Sequence, residues 1–406
     1  MSEKNVNIAM IGLGGRGAGH LDYILKYQPD VTILGVCDLY EDRAEDARRM
    51  VLERRGNDPV CTTDSDTIFE IPGLDAVVIA TSWKDHVPLC ITAMKKGIRP
   101  GVEVAGAYSI DQLWQLVHTY EETKVPVMFL ENCCYGREEL MLLNMVRQGA
   151  FGTLVHLEGA YHHDLCNEIT EGRENRHYRL EEYKHRNCDN YPTHALGPIC
   201  QMLNINHGNR MLTVNSIANR PVGLNDYLRR PGAKNADLAD YPFAQGDVVT
   251  TVIKCAGGET ITLNLDTSTP HAYSRGLRVQ GTKGCYIEDN QSIFLDGVNS
   301  DREPWWKEQW GNVEQFRDQY EHRIWKEFLQ SDVTAGHGGI DHLVFCAFFE
   351  SIRKNTLPPI DVYDMASWMC ITVLSEQSVS MAGAPVPVPD FTNGKWERDY
   401  PCHFEE

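Results

Sequence analysis

From the N-terminus to Leu130, short apolar runs alternate with amphipathic stretches. Val6–Ile11, Thr32–Cys37, Ala76–Ala80 and Pro126–Leu130 are continuous apolar runs of strand length. The segments between them carry apolar residues at helical spacing and stop at glycines such as Gly97. This alternation predicts a parallel, doubly wound α/β sheet, in which ligands bind at the carboxyl ends of the strands.

Beyond Gly136 the pattern changes. Arg137 to Gly149 predicts a helix, with Leu140, Leu143 and Val146 on one side and Gly149 as its stop. Val155, Leu157, Gly159 and Tyr161 then alternate with His156, Glu158 and Ala160, the period of a half-buried strand. Residues 166–189 are polar, charged and aromatic, which predicts a functional loop or lid. Asp247–Ala256, Gly257-Gly258 and Glu259–Thr269 predict a hairpin, continued by Leu277–Gln280, Gly284–Glu288 and Ser292–Leu295. Together these give a large open, mainly antiparallel sheet, with one face solvated or paired to a second copy of the chain. Residues 299–337 read as irregular and Trp-rich, Ile340–Lys354 and Val362–Met381 as helices, and Pro385–Pro389 as extended. The expected organisation is an N-terminal Rossmann domain at 1–131, a C-terminal α/β substrate and oligomerisation domain at 132–385, and an extended tail at 386–406.

Composition narrows the partners. A length of 406 residues makes two domains the default. A net charge of −19 without a basic block argues against nucleic acid or an anionic membrane. No apolar run is long enough to cross a bilayer, and Met1-Ser2-Glu3-Lys4-Asn5 lacks a signal-peptide core. A cytoplasmic location is the default expectation, although a trimmed export signal would leave the same start. Thirteen cysteines, an odd number without C-x-x-C, fit reduced packing thiols. His162-His163-Asp164 with Cys166 fits no metal spacing, because strand alternation sends the two histidines to opposite faces, and no metal is assigned.

The chemistry concentrates after the strands. Gly12, Gly14 and Gly17, with Gly15 and Arg16 between them, have the G-x-G-x-x-G spacing between a strand and a helix. The first glycine permits a tight turn, the second lets the backbone approach a pyrophosphate, and the third lets helix pack on strand. The next apolar run ends at Asp38, where a carboxylate accepts hydrogen bonds from an adenosine ribose and repels a 2′-phosphate. NAD is therefore expected as cofactor rather than NADP; Arg43 is the nearest following arginine. Thr81, Trp83 and His86 leave the run Val77–Ala80 beside the expected dinucleotide, where helix capping by Thr81 or Ser82 and packing by Trp83 is an equally good account. Glu103-Val104 and Glu131-Asn132-Cys133-Cys134-Tyr135 leave the next two strands.

With Gly12–Gly17, Asp38, Thr81–His86, Glu103, Asn132, Val146–Gly152 and His194, the chain resembles the Gfo/Idh/MocA oxidoreductases over nearly its whole length. Within them it most resembles glycoside hydrolase family 109, the NAD-dependent α-N-acetylgalactosaminidases. That closer likeness rests on the strings Glu131–Arg137, Tyr178–Leu180, Asn190–Pro198, Tyr273–Gly276 and Gly336–Asp341. Family dehydrogenases typically carry Glu-Lys-Pro where this chain has Glu103-Val104-Ala105, and Asp where it has Asn190, so their acid–base pair is missing here. The hydrolase subgroup shares this kind of change.

The resemblance implies a glycosidase that uses tightly bound NAD without net redox change: transient oxidation at C3, deprotonation at C2, elimination, water addition and re-reduction. The alternative is an NAD-dependent sugar or cyclitol dehydrogenase. Such a cycle needs acid–base groups, and His194 is the main candidate, with Tyr191 and Tyr135 as partners. From the residue type alone His194 is equally a hydrogen-bonded core histidine. By resemblance, Tyr161, Arg179, Tyr191 and Tyr273 line the sugar site; packing for the tyrosines and a solvated loop charge for Arg179 are the plain alternatives. The same resemblance places Gly12, Gly14, Gly15, Arg16, Gly17, Asp38, Thr81, Trp83, His86, Glu103, Val104, Asn132, Tyr191 and His194 around NAD. The expected substrate is a glycoside, and the expected assembly a homo-oligomer through the open sheet. His337 and Asp341 receive no role.

Overall fold

The computed structural model describes residues 5–299, 306–331, 333 and 337–397. They fall into two compact units: Met1–Tyr135 with Glu327–Ala366, and Gly136–Lys326 with Ser367–Cys402.

The first unit opens with β1 (Val6–Ile11), α1 (Gly15–Tyr27), β2 (Val31–Cys37), α2 (Glu41–Arg55), β3 (Val60–Thr62), α3 (Ser65–Phe69), β4 (Ala76–Ile79), α4 (Trp83–Lys95), β5 (Arg99–Val102), α5 (Ile110–Thr123) and β6 (Met128–Phe129). The strands form one sheet in the order β3-β2-β1-β4-β5-β6. All its pairings are parallel. Helices on both faces leave the central strands dry, so β4 is buried at every position, as its unbroken apolar run required. The strand expected over Pro126–Leu130 is pared to Met128–Phe129.

The second unit begins with α6 (Arg137–Arg147), β7 (Leu154–His162), α7 (Cys166–Thr170), α8 (Arg179–His185), α9 (Thr193–Met202), β8 (Met211–Ala218) and α10 (Gly223–Leu228). It continues with β9 (Val248–Cys255), β10 (Thr260–Asp266), β11 (Arg278–Gly281), β12 (Gly284–Ile287), β13 (Ser292–Leu295), α11 (Glu314–Tyr320) and α12 (Arg323–Phe328). The last residues of α12 count with the first unit, as does α13 (Ile340–Lys354). α14 (Val362–Ser380) and β14 (Val386–Pro387) follow. The second sheet runs β13-β12-β11-β7-β10-β9-β8-β14. Within this second sheet β7 and β10 make the one parallel pairing among the described residues; β9 and β10 form the hairpin expected from Gly257-Gly258.

Two stretches differ from the sequence reading. Residues 166–189 hold the short helices α7 and α8, whose Cys166, Ile169, Thr170, Leu180 and Tyr183 are buried. Each helix is too brief to show a helical period, so the stretch reads as a polar loop. The 299–337 stretch, expected to be irregular, contains α11 and α12 where it is described; 300–305, 332 and 334–336 lie outside the described residues, as does 398–406 of the expected tail. Val386 and Pro387 of that tail pair with Val214 and Thr213 of β8, closing one edge of the sheet. Among the described residues no helix is long and apolar enough to cross a membrane.

Candidate active site

In the first unit the glycine turn is built for close approach. Gly12 sits at φ +90, a conformation that disfavours other residues, and a Cβ there would lie 2.5 Å from the Ala80 carbonyl carbon. A Cβ on Gly17 would lie 1.9 Å from the Gly12 oxygen, which shows why helix and turn meet only through glycine. Gly14 is the N-cap of α1 and supplies no side chain, while a Cβ on Gly15 would meet open space. Gly12, Gly14, Gly15 and Gly17 thus leave the turn and the start of a 13-residue helix without side chains of their own at those positions, the setting a pyrophosphate needs. Asp38 is buried at the end of β2; its Oδ2 accepts from the Leu13 N–H at 2.7 Å and its Oδ1 from the Tyr40 N–H at 2.9 Å. The carboxylate is fixed against the glycine turn. Arg43 reaches the same turn, its Nη1 lying 3.4 Å from where a Gly14 Cβ would stand.

Arg16 does not stand alone. Its Nε donates to Glu103 Oε1 at 2.8 Å, and its two Nη groups donate to Asp341 at 3.0 and 2.9 Å. His20, one turn further along α1, makes a second, very short contact with Glu103. Asn132 Nδ2 donates to Asp341 Oδ1 at 2.7 Å, and His337 Nδ1 meets Asp341 Oδ2 at 2.7 Å. Burial pushes both carboxyls up, but Arg16 and His20 outweigh it at Glu103, and His337, Arg16 and Asn132 do so at Asp341. Both are therefore held ionised, well below the usual carboxylate range. Arg16, Glu103 and Asn132 come together as the sequence reading grouped them. His20 was missed, its local signal being its i+4 spacing from Arg16, and His337 and Asp341, which the sequence left without a role, join this cluster.

The strand-end residues divide by role. Ser82 caps α4 by position, and its hydroxyl bonds Asp85 at 2.5 Å rather than a backbone N–H. Trp83 is buried, and Thr81 Oγ1 donates to the Ser82 carbonyl at 3.3 Å. His86 is buried, with Nε2 3.1 Å from the Thr81 carbonyl oxygen, and burial lowers its pKa, so it is a neutral packing imidazole. Val104 is buried after β5, its N–H bonded to Glu103 Oε2 at 3.1 Å. Tyr135 is buried at the end of the 3-10 turn Asn132–Tyr135, where burial pushes its phenol far up. It is a neutral hydroxyl, fit to donate but not to act as a free base.

The second unit assembles the other candidates. Leu157, Gly159 and Tyr161 are buried on one face of β7, whereas Val155, expected with them, is exposed near the strand's start, before the stretch that α9 covers; α9 packs where a Gly159 Cβ would stand 2.8 Å from Ala195 Cβ. That close approach brings Tyr161 within 5.6 Å of the His194 ring and 4.6 Å of the Tyr191 ring, centroid to centroid. Tyr191 and His194 are 4.9 Å apart and perpendicular. The Arg179 guanidinium, at the start of α8, lies 5.0 Å from the Tyr191 ring, and the half-exposed Tyr273 stands edge-on to Tyr161 at 6.3 Å. Such a cluster offers ring faces for a pyranose, a guanidinium for hydroxyl or acyl oxygens, and an imidazole for protons. Asn190, where family dehydrogenases carry Asp, instead braces the turn before α9: its Nδ2 donates to Gln245 at 3.3 Å, and Gln245 also bonds both backbone groups of Cys188.

The two histidines dismissed as metal ligands part as alternation requires. His162 bonds Asn264 at 3.0 Å on the opposite face, whereas His163 Nδ1 lies 3.1 Å from the Tyr161 hydroxyl. Sequence reasoning gave His163 no role, although its i+2 spacing from Tyr161 places both on one face.

Comparison with known proteins agrees with this division. Residues 6–130 match the oxidoreductase family with an NAD-binding Rossmann fold (Gfo/Idh/MocA), and residues 135–398 match the glycosyl hydrolase 109 C-terminal domain. A glycosyl hydrolase family 109 protein of Stenotrophomonas maltophilia is 37% identical, the match covering 98% of this chain and 91% of that one. An α-N-acetylgalactosaminidase of Tannerella forsythia is 34% identical, with 99% and 89% covered. Among solved structures, levoglucosan dehydrogenase in complex with NADH and levoglucosan superposes with a TM-score of 0.70 at 18% identity, covering 95% of this chain and all of that one, a likeness of fold alone. With a family match over more than half its length and relatives of this similarity along nearly the whole chain, the protein belongs to glycosyl hydrolase family 109 and carries the NAD-binding Rossmann domain of the Gfo/Idh/MocA oxidoreductases.

Proposed function

We propose that the protein is an NAD-dependent glycosidase acting on α-N-acetylgalactosaminides or related glycosides, through transient oxidation at C3, loss of the C2 proton, departure of the anomeric substituent, addition of water and re-reduction. The observation that carries this reading is the His194–Tyr191–Tyr161 cluster with Arg179 and Tyr273, an acid–base and ring-stacking site on a chain with a glycine cradle for a dinucleotide. The curated relatives in Tannerella forsythia and Shewanella oneidensis named α-N-acetylgalactosaminidase support the choice of sugar.

Gly12, Gly14, Gly15 and Gly17 would hold the pyrophosphate and Asp38 the ribose. Arg16, Glu103, Val104 and Asn132, with Thr81, Trp83 and His86 behind them, shape the nicotinamide end. Bound there, NAD supplies reversible acceptance of the C3 hydride, which makes the C2 proton acidic. His194 moves the 3-hydroxyl proton. Tyr191 and the neutral Tyr135 donate to or hold the sugar oxygens, while Tyr161 and Tyr273 stack on the ring and Arg179 binds an acyl or hydroxyl oxygen. By the family resemblance Tyr191 and His194 would also count among the residues that hold the cofactor. The open face of the second sheet is the proposed homo-oligomer contact.

The test uses purified protein without added nicotinamide, nitrophenyl α- and β-glycosides, and deuterated water. Release of nitrophenol with deuterium at C2 of the sugar is expected. No release, with net NADH formed once NAD is supplied, would instead establish a sugar or cyclitol dehydrogenase.

A further inference from the structure

We propose that His163 is the proton-exchange partner of Tyr161: the imidazole takes the phenolic proton across the Oη···Nδ1 hydrogen bond and passes it to solvent, making Tyr161 an acid–base group and not only a stacking ring. This rests on the glycosidase reading. Its geometry is local to the second unit. Tyr161 is buried on the covered face of β7, and His163, two residues on, is half-buried, its backbone N–H bonded to the Asp266 carbonyl at 3.0 Å. The imidazole, itself only half-buried, stands edge-on to the half-exposed Tyr273 at 5.1 Å, so it lies between a buried phenol and the exposed edge of the cluster.

The groups acting on His163 set its working form. They are Asp164 beside it, Glu168 on α7, Arg179 on α8 and His194 on α9, with Tyr161 and Tyr273 in ring contact. Burial, then Arg179, lower its pKa against the opposing pull of Glu168 and Asp164. A neutral ring with its hydrogen on Nε2 leaves the Nδ1 lone pair to accept from the Tyr161 hydroxyl. Arg179 is buried at the start of α8, with its guanidinium 5.0 Å from the Tyr191 ring that packs on Tyr161.

The step balances. As the substrate gives a proton to Tyr161 Oη, the phenolic proton moves to His163 Nδ1 and the Nε2 proton leaves to water; the reverse order returns it. No net charge remains on the pair. A purely positioning His163 would need only an acceptor at Nδ1.

The experiment compares His163→Ala, His163→Gln and wild type as holoenzymes, with thermal midpoint and bound NAD as controls. Gln keeps an oxygen for the Tyr161 hydroxyl but cannot titrate. On a nitrophenyl glycoside, both variants are expected to lose about 100-fold in kcat with KM changed only a few-fold. Added imidazole should partly restore His163→Ala in proportion to its concentration. A His163→Gln enzyme with wild-type kcat and pH profile would overturn the relay, and so would a His163→Ala enzyme that imidazole does not help. A second readout needs no turnover. With 13C-labelled tyrosine, the Tyr161 Cζ resonance, assigned through Tyr161→Phe, should follow the His163 titration in wild type and lose that inflection in His163→Gln. Failure of the wild type to cleave any glycoside while this coupling persists counts against the glycosidase reading. Absence of the coupling counts against the relay, whatever the substrate.

Discussion

Asp189 should make the protein less stable as the pH rises through neutrality, and Asp189→Asn should remove that loss. The residue is 2% exposed in the turn before α9, where its N–H bonds Ser375 Oγ at 2.9 Å. Burial pushes its carboxyl up to about 7 from 3.8, against the opposing pull of the Thr251 hydroxyl and the Tyr191 N–H, and Oδ2 finds no partner among the described residues. The folded state therefore prefers the protonated acid, so stability from this group is fully present below the unfolded pKa and is lost as pH climbs through the folded one. A shift of about three units corresponds to roughly 4 kcal/mol, as an upper value, between pH 4 and pH 8. Asn removes the charge but places an unpaired NH2 where Oδ2 was, at about 1–3 kcal/mol. Asp189→Asn should then match or fall below wild type at pH 5 and exceed it at pH 8, by about 1–3 kcal/mol or several degrees. Denaturant or thermal unfolding of both proteins at the two pH values measures this, and the difference between the differences cancels every other titrating group. Equal offsets at pH 5 and pH 8 would mean that Asp189 ionises normally in the folded chain.

Four other outcomes follow from the same geometry. His194→Ala should abolish glycoside turnover while bound NAD survives purification, measured by nitrophenol release and by absorbance of the extracted cofactor. Gly17→Ala puts a Cβ 1.9 Å from the Gly12 oxygen, so it should weaken NAD binding at least tenfold by calorimetry and lower the first unit's unfolding midpoint. Asp341→Asn keeps the shape but removes the charge that Arg16 and His337 share, and should weaken NAD binding and destabilise the first unit by about 1–3 kcal/mol in denaturant. Gly159→Ala should press α9 away from β7, cost about 1–3 kcal/mol in denaturant unfolding, and lower kcat in protein shown by circular dichroism to be folded, because the Tyr161–His194 spacing depends on that contact.

What the sequence disclosed follows from how far apart the cooperating residues lie. The strand–glycine turn–helix and the parallel first sheet follow local patterns and are found where the apolar runs put them, except that β3 (Val60–Thr62) was not marked and β6 is shorter than expected. The face shared by Leu157, Gly159 and Tyr161 was legible from strand alternation, and so was the parting of His162 from His163. Arg16 and Asp341 sit near opposite ends of the chain, and no periodicity connects them. The 166–189 stretch misled because α7 and α8 bury only a few side chains each, so its polar residues dominate the composition. Asp189 looked like one more polar loop residue; its partners Ser375 and Thr251 lie on distant parts of the chain.

The distribution of charge among these residues bears on which side chains can exchange protons in a chain with a dehydrogenase-like nucleotide domain. In the first unit the carboxylates of Glu103 and Asp341 are locked ionised by Arg16, His20, Asn132 and His337. Groups held that far below neutrality exchange no protons at working pH, so the proton released when an alcohol is oxidised must go to another side chain. The position that carries lysine in family dehydrogenases is the apolar, buried Val104. Imidazoles are the side chains whose ordinary pKa permits exchange near neutrality, and in the second unit His163 and His194 both lie in ring contact with Tyr161. On the proposed reading this is a division of labour: the first unit fixes charges to hold a dinucleotide, and the second moves protons on the sugar. Converting Val104 to Lys would test that division, because a lysine there should raise net NADH formation from free sugars if acid–base chemistry is the missing element. An unchanged redox yield, with glycoside cleavage intact, would place the difference elsewhere in the chain.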